Sequence, residues 1–538
     1  MLPQCSLTAN LSMFNEIKMK ERIKELLEDM LPLVDLESDF LFSDLDSLGV
    51  TTILMTLSAE YGIELEAKDA TPKNLRNLDS IAAMVEEKLK VKSEESVLEM
   101  HCIEDYLNLW AEENPAKPAV ICDGETLTYE QLWQQVKERS REYQQAEGSA
   151  VLVRNTQSID FLIQYFATHL AGKAAVPVEE DCTPDRLGSI QHQINACTIP
   201  VDVADILYTT GTTGQQKGIM ISHKAIIADA ENLISAMQFT KDLLFVISGP
   251  LNHIGSLSKI WPTIMVGATL CITSGMKDMN RFLQALSLPY PKVATFLVPT
   301  SIRMLLQFAR KEFSGIADKI DFIETGAAPM SQSDMEALCQ VLPHTRLYNT
   351  YASTETGIIC THNYNSDYCV AGCLGRPMRH SSVFITPEGN VACKGDTLMV
   401  GYVGDEELTR KVLQNGTLFT SDCGRIDQQG RLHLTGRTGD IINIGGYKVN
   451  PIEVEDAALS FPAVADCICA PSPHPVLGTV LRLYVVPKND TVINKKELAA
   501  HLTQKLEHYK VPQLFSIVDH IERTYNGKLN RKFYTTNT

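Results

Sequence analysis

Residues Leu207 to Gly218 read LYTTGTTGQQKG. Four threonines, three glycines and a lysine stand among these twelve positions. Glycine lets backbone N–H groups approach an anion closely, threonine adds hydroxyl donors and Lys217 adds positive charge, so the chemistry this composition serves is phosphate binding. A flexible polar loop has the same composition, and these residues alone leave both readings open. The stretch is not the P-loop of common nucleotide triphosphatases. That pattern needs four residues between its glycines, then Lys and Ser/Thr; here Thr212 and Thr213 separate Gly211 from Gly214, and Gly218 follows the lysine. Two other short stretches carry reactive groups. DLDSLGV (44–50) sets Ser47 after Asp46 where a helix begins, a place at which serine is ordinarily a cap. YNGKLNRK (525–532) carries Lys528, which in isolation reads as a solvated surface charge.

The elements that must position these groups fall into blocks. From Phe14 to Leu89, Ile23, Leu26, Leu27 and Met30 mark one amphipathic helix. Val50, Ile53, Leu54, Leu57 and Tyr61 mark a second, with Gly62 suited to its C-cap, and SIAAMVEEKLK marks a third. The polar stretch 91–97 has no periodicity and reads as a linker. From His101 onward, helical stretches alternate with the apolar runs AVLV, AAVPV, LFVIS, ATLCI, VATFLV, KIDFIE and TRLYNTY, the pattern of α/β layers with mixed or parallel sheets. The phosphate stretch follows Ile206 and Leu207 and so leaves a strand end. From Arg437, ADCICAP and VLRLYVVP predict strands, KKELAAHLTQKLEHY predicts a helix, and the chain after Tyr534 reads as a loose tail. The expected fold class is α/β multidomain: a small N-terminal four-helix bundle (14–92), a linker (93–100), a large α/β core with mixed sheets (101–436) and a small α+β C-terminal lid (437–534).

Bulk properties narrow the partners. The chain has 538 residues, 44% of them hydrophobic and 21% charged, which suits a soluble protein of three to four domains with sizeable cores. A formal net charge of −18 argues against a broad grip on nucleic acid or an anionic membrane surface. The fourteen cysteines are scattered; Cys369/Cys373 and Cys467/Cys469 lack a second pair at metal-site spacing, so buried free thiols in a reducing cytosol are expected. A basic head followed by an apolar run is missing at the N-terminus, and no run approaches a membrane span, so a cytoplasmic location is expected.

Seven stretches in order resemble the motifs of the adenylate-forming superfamily of acyl-CoA synthetases, peptide-synthetase adenylation domains and luciferases. They are LYTTGTTGQQKG, GPLNHIG (249–255), TGAAPMS (325–331), NTYASTETG (349–357), LFTSDCGRIDQQGRLHLTGR (418–437), IINIGGYKVNPIEVE (441–455) and YNGKLNRK, and the resemblance covers about His101 to Lys532. It implies that Thr209, Thr210, Gly211, Thr212, Thr213, Gly214 and Lys217 hold the β- and γ-phosphates of ATP. Tyr351 would stack on adenine, Asn349 would pair with its amino group, and Gly326 and Ala327 would line its edge. Thr354 would contact the α-phosphate, Glu355 would ligate Mg²⁺, and Asp422, supported by Arg437, would accept the ribose hydroxyls. Lys528 would bridge the substrate carboxylate and the α-phosphate, where charge builds up during attack. The lid would swing between half-reactions about Gly439 and Asp440. DLDSLGV in turn resembles the attachment motif of carrier proteins, which implies 4′-phosphopantetheine on Ser47, a phosphopantetheinyl transferase to install it and a downstream enzyme to collect the thioester.

The sequence departs from the superfamily at Gln216, where Pro is usual, at Ala352 after Tyr351, at Ser421 before Asp422, and at Gly439, where the hinge is usually Asp. Amino-acid-activating members grip the α-amino group with an aspartate near the second motif; residues 251–255 hold no acid, so a neutral aryl or aliphatic carboxylic acid is expected. His253 matches the residue that gates the thiol tunnel in CoA ligases, against the plainer reading of a packed histidine. Ile254, Gly255, Ser256, Thr325 and Ala352 are the expected pocket lining. Three readings follow: a ligase that loads its own or a partner's carrier, an acyl- or aryl-CoA ligase, and an inactive scaffold. Intact Glu355, Asp422, Arg437 and Lys528 speak against the last.

Overall fold

The computed structural model describes every residue except 1–18, 29, 33, 62–64, 96–99, 155, 211–215, 277, 367, 445–446, 475–477, 490, 524–528 and 537–538. Two compact units, Met1–Met100 and His101–Thr538, divide the chain.

In the first unit a helical run from 19 to 28 is followed by helices Leu41–Asp44, Ser47–Tyr61 and Leu78–Glu95. Their apolar stripes meet in a core that includes Ile23, Leu27, Leu41, Ile53, Leu57, Leu75, Ile81 and Val85. Two expectations change here. Met30, placed on the core stripe, is 55% exposed, while Leu31 and Val34 just beyond it pack on the core instead. The stretch expected as linker from 91 is helical as far as Glu95, past the boundary placed at 92. Lysine and glutamate are good helix formers, and a solvated helical turn needs no apolar stripe to propagate. Gly62, expected as a C-cap, lies outside the described residues.

The second unit is built on a large mixed sheet. Strands Pro118–Cys122, Thr269–Ile272, Leu243–Ile247, Lys292–Leu297, Ile320–Thr325 and Arg346–Ser353 lie side by side in that order, all parallel. The four central strands are buried along nearly their whole length, as strands covered on both faces must be, and this is why they read as continuous apolar runs. Beyond Arg346–Ser353 the sheet turns antiparallel through Gly357–Asn363, Cys373–Pro377, Leu432–Arg437 and Thr417–Ile426. A second, five-stranded sheet runs Gly401–Tyr402, Gln216–Ser222, Val203–Thr210, Ala174–Pro177 and Ala150–Val153. The C-terminal part packs helices Pro451–Leu459 and Lys495–Lys505 on strands Val464–His474, Gly478–Pro487 and Leu514–Ile517. The expected loose tail after Tyr534 instead continues the helix Arg531–Thr536. Arg303, on a core helix, joins Asp334 at 2.6 Å and Asp466 of the C-terminal part at 3.3 Å.

Among the described residues no helix is long and apolar enough to cross a membrane. All thirteen described cysteines are free.

Candidate functional site

The phosphate stretch is a hairpin. Strands Val203–Thr210 and Gln216–Ser222 pair antiparallel, with Thr209 opposite Lys217 and Thr210 opposite Gln216. The first strand therefore runs three residues past Leu207, where it was expected to stop, because β-branched threonine suits a strand as well as a loop. Gly218 is a packing requirement: a Cβ there would meet the Tyr208 ring at 2.9 Å and Val403 at 3.0 Å. Gly211, Thr212, Thr213 and Gly214 lie outside the described residues, as does Lys528.

A line of contacts leads away from this hairpin. The Lys217 ammonium stands 5.4 Å from the centre of the Tyr402 ring. The Tyr402 hydroxyl donates to Glu355 Oε1 at 3.1 Å. Burial, then the neighbouring carboxylate, push that hydroxyl's pKa up, so it stays a donor. Glu355 sits in the turn after strand Arg346–Ser353, beside Thr354. That turn is fixed by Ser353 N donating to Thr356 Oγ1 at 2.9 Å, and by Gly357 at φ +67°, where any Cβ would lie 2.8 Å from the Asp229 carboxylate. Burial pushes the Asp229 carboxyl up to about 8.

Four residues before Glu355, Tyr351 is buried and its hydroxyl donates to Asp422 Oδ2 at 2.7 Å. Arg437 Nε donates to Asp422 Oδ1 at 2.6 Å. Asp422 and Arg437 are partners across neighbouring antiparallel strands, which is why fifteen residues of sequence bring them together. Each carboxylate oxygen keeps a further lone pair for an incoming hydroxyl. The expected adenine-edge residues follow the carboxyl end of strand Ile320–Thr325, the end at which ligands bind in parallel sheets. A Cβ on Gly326 would come within 2.9 Å of Thr350 Oγ1, and Ala327 is held at φ +67°, a left-handed conformation costly for a residue with a side chain. Asn349 donates its amide to the Cys373 carbonyl at 3.2 Å, so the atom an adenine amino group would need is its other end, Oδ1.

The expected acid side is built differently. Ile254, Gly255 and Ser256 form the single turn Ile254–Leu257, and His253 is its N-cap, with Nδ1 accepting from Gly255 N at 3.2 Å. A Cβ on Gly255 would lie 2.8 Å from the Phe296 ring, and one on Gly326 would lie 3.5 Å from it. Phe296 thus fills the space between the acid-side turn and the adenine loop. Beneath it Lys259, fully buried, pairs with buried Glu324 at 2.7 Å and places its ammonium 5.3 Å from the Phe296 ring. Thr350 Oγ1 also donates to Glu324, at 3.1 Å. Thr325 is buried and Ala352 half-buried. Sequence reading missed Phe296, Lys259, Glu324 and Tyr402. A charged Lys259 between the short apolar helices Ile254–Leu257 and Ile260–Met265 was a detectable signal; nothing in the spacing marked the others.

At the expected hinge, Thr438 N donates to the Ser421 carbonyl at 2.8 Å and Asp440 N to the Arg437 carbonyl at 3.0 Å. Gly439 has open space around its Cβ position. Arg531 lies 3.7 Å from Asp440 and grips Glu455 through two bonds of 2.6 and 2.8 Å.

In the first unit the structure corrects the reading of Ser47 as a cap. Asp46 Oδ1 accepts from Gly49 N at 2.7 Å, so the cap is Asp46. Ser47 opens the helix and is exposed, next to Leu48 at 72% exposure.

One cluster among the described residues has metal-ligand composition: Glu104, His169 and His223. His169 is already spoken for, with Nδ1 2.8 Å from Glu104 and Nε2 3.1 Å from Asp205. Burial would lower its pKa, but the two carboxylates outweigh it and hold the imidazole at about 10. Glu104, His169 and Asp205 thus form a buried ion triad, with the His223 ring edge-on to His169.

Comparison with known proteins gives a consistent outcome. The family model of the AMP-binding enzyme matches residues 107–201 and 191–403, more than half of the chain, and the model of the AMP-binding enzyme C-terminal domain matches 453–528. A methyl-dioxo-octahydroindenyl-propanoyl:CoA ligase of Mycobacterium tuberculosis is 31% identical over 348 residues, 62% of this chain and 66% of that protein. A 2-succinylbenzoate–CoA ligase of Staphylococcus aureus is 30% identical over 341 residues, 61% of this chain and 66% of that protein. The chain thus spans just under two thirds of the length of these curated relatives. Among solved structures, ATP-bound MatB from Rhodopseudomonas palustris superposes with a TM-score of 0.72 at 22% identity, covering 81% of this chain and 99% of that one. MenE of Bacillus subtilis with its acyl-adenylate superposes at 0.68 and 22% identity, covering 79% and 97%.

Proposed function

Because the chain belongs to the AMP-binding enzyme family, we propose that it is an AMP-forming acid–thiol ligase: it joins a carboxylic acid to ATP as acyl-AMP, then passes the acyl group to a thiol. The observation that carries this is the pair of contact chains Lys217–Tyr402–Glu355 and Tyr351–Asp422–Arg437, which meet in the segment from Tyr351 to Glu355. It sets a cation at one end, a carboxylate in the middle and a hydroxyl-accepting carboxylate at the other, the order in which ATP presents its terminal phosphates, α-phosphate and ribose.

In the first half-reaction the acid's carboxylate oxygen attacks the α-phosphorus, forming a C–O–P bond as the bond to pyrophosphate breaks. Lys217, the hairpin threonines and glycines, and Thr354 hold the phosphates; Asp422 and Arg437 hold the ribose; Asn349, Tyr351, Gly326 and Ala327 hold the base. Lys528 would steady the charge gathering between carboxylate and phosphate. Glu355 offers the carboxylate oxygen that a hard divalent cation takes, so the donor chemistry fits Mg²⁺. Bound there, Mg²⁺ would offset the negative charge of the phosphates. In the second half-reaction a thiolate attacks the acyl carbon and AMP leaves with the bonding electrons, giving a thioester. The lid about Gly439 and Asp440 changes position between the two.

Coenzyme A is the acceptor this reading favours, since the relatives named above are CoA ligases. His253, the N-cap of the acid-side turn, would be the tunnel-side residue. For the acid, Ile254, Gly255, Ser256, Thr325 and Ala352, with Phe296 as a wall, support a neutral rather than an amino acid. A second acceptor is favoured by one observation: with Asp46 acting as the cap, the exposed Ser47 hydroxyl is available to carry a 4′-phosphopantetheine arm. The first unit would then be a carrier domain, served by a phosphopantetheinyl transferase and by an enzyme that collects the thioester.

The test is acid-dependent pyrophosphate release with ATP, Mg²⁺ and a panel of aryl and aliphatic acids, beside an Asp422→Asn control. Losing that charge-assisted acceptor costs about 1.5–3 kcal/mol, read as a rise in the ATP requirement. Silence from every acid sinks the ligase reading and leaves an inactive scaffold. Intact mass of the transferase-treated chain, with Ser47→Ala alongside and CoA as competitor, then separates the acceptors.

A further inference from the structure

We propose that Tyr402 is a positioning residue for this reaction, coupling the phosphate hairpin to the metal-holding carboxylate: its hydroxyl orients Glu355 and its ring seats Lys217. The inference rests on the ligase reading above.

Tyr402 belongs to neither group it touches. It lies in the two-residue strand Gly401–Tyr402, 185 positions beyond Lys217 and 47 beyond Glu355. Its backbone is sewn to the hairpin: Tyr402 faces Ile219 across the ladder, Val400 N donates to the Met220 carbonyl at 2.8 Å, and Val403 N donates to the Gly218 carbonyl at 2.8 Å. The same segment is sewn to the Glu355 turn. Met399 N donates to the Glu355 carbonyl at 2.9 Å and Thr397 Oγ1 to the Thr356 carbonyl at 2.7 Å. Residues 397–403 are therefore a strap holding two otherwise separate pieces of the site at a fixed spacing.

The side chain extends that strap into the chemistry. Only 8% of Tyr402 is exposed, so its hydroxyl has Glu355 rather than bulk water as its partner. The bond takes one lone pair of Oε1 and biases the carboxylate's orientation, which leaves Oε2 fully open to meet a cation. Hydrogen-bond partners of ligating groups set the ligand's direction, and removing one costs about 10–100-fold in metal affinity or activity. The ring acts on the other neighbour. An ammonium over an aromatic face is held by the ring's quadrupole, which keeps Lys217 directed along the line rather than into solvent.

Two variants of the full chain separate these roles from plain packing. Tyr402→Phe keeps the ring and removes only the hydroxyl; Tyr402→Leu removes both. Binding of a fluorescent ATP analogue is titrated at a series of Mg²⁺ concentrations, with no turnover required, and the thermal unfolding midpoint is recorded in parallel. For Tyr402→Phe, the Mg²⁺ concentration giving half the full gain in nucleotide affinity is expected to rise about tenfold, with affinity in the absence of Mg²⁺ close to wild type. Tyr402→Leu is expected to show the same shift and, in addition, about fivefold weaker binding without Mg²⁺. A Mg²⁺ half-point in Tyr402→Phe that matches wild type, with or without a lowered unfolding midpoint, overturns the inference and leaves the hydroxyl as a packing contact. A wild-type chain that binds the analogue with no dependence on Mg²⁺ overturns it too, while leaving nucleotide binding intact. A wild-type chain that does not bind the analogue at all overturns the ligase reading itself.

Discussion

The two sides of the candidate site are held by different physics. On the nucleotide side, single hydrogen bonds between side chains from distant segments fix the geometry: Tyr402 to Glu355, Tyr351 to Asp422, Arg437 to Asp422. On the acid side the shape comes from steric fit, with Gly255 and Gly326 leaving room for one face of Phe296, and from an ion pair sealed beneath that ring. Hydrogen bonds demand particular atoms, so the nucleotide side tolerates few residue types. Steric fit demands only volume, so side chains on the acid side can be exchanged without disturbing the hydrogen bonds of the nucleotide side.

The largest expected effect tests whether the acid side rests on its buried pair. Lys259→Met leaves the Glu324 carboxylate buried without its cation and should destabilise the second unit by about 3–5 kcal/mol, measured by urea unfolding. The double change Lys259→Met with Glu324→Leu should recover most of that loss. If the single variant is as stable as wild type, the pair is not what holds this side together.

A region outside both sides sharpens the same point. His169 lies between two carboxylates with its folded pKa at about 10, above the roughly 6.5 of an unfolded histidine. Raised in this direction, its contribution is fully present below about pH 6.5 and is lost as the pH climbs towards 10. Stability of the wild type should therefore fall across that window. His169→Gln should lose about 3 kcal/mol at pH 6.5 and show a flatter profile above it. Parallel profiles would mean that the triad does not titrate as an ion cluster.

Steric control of the acid side predicts a smaller change. Gly255→Ala pushes a methyl group into the Phe296 ring, an overpacking cost of about 1–3 kcal/mol. The acid profile should narrow to smaller members while the ATP requirement stays put. An ATP requirement that moves together with the acid profile would break the division between the two sides.

The smallest effect lies in the first unit. Asp46→Ala removes the cap and should cost about 1 kcal/mol. Ser47→Ala removes an exposed hydroxyl and should change stability by less than about 0.5 kcal/mol. Thermal unfolding of both variants distinguishes them, and the reverse ranking would return the cap to Ser47.

Much of this was legible in the sequence because it depends on neighbours along the chain. Runs such as VATFLV and KIDFIE became strands where their continuous apolar character placed them, and the α/β order followed. The ordered motifs brought Asp422, Arg437, Tyr351 and Glu355 to attention before any contact was visible. Local signals failed where two local solutions compete: threonine extended the hairpin strand through Thr210, and charged residues carried a helix through Glu95. The cap of the helix opening at Ser47 turned on which of two adjacent polar residues accepts from Gly49 N, and composition does not encode that.

By itself, then, the sequence determined most element types and their order, and it singled out the side chains that the proposed function sets on phosphate, ribose and base, since propensity, periodicity and motif spacing are properties of a chain read in one dimension. Only the tertiary structure decided that Tyr402 stands between Lys217 and Glu355, that Phe296 fills the gap Gly255 and Gly326 leave, and that Lys259 meets Glu324 beneath it. These contacts join strands and turns tens to hundreds of residues apart, and their energies depend on distance and burial through space, which come into being when the sheets pair and pack.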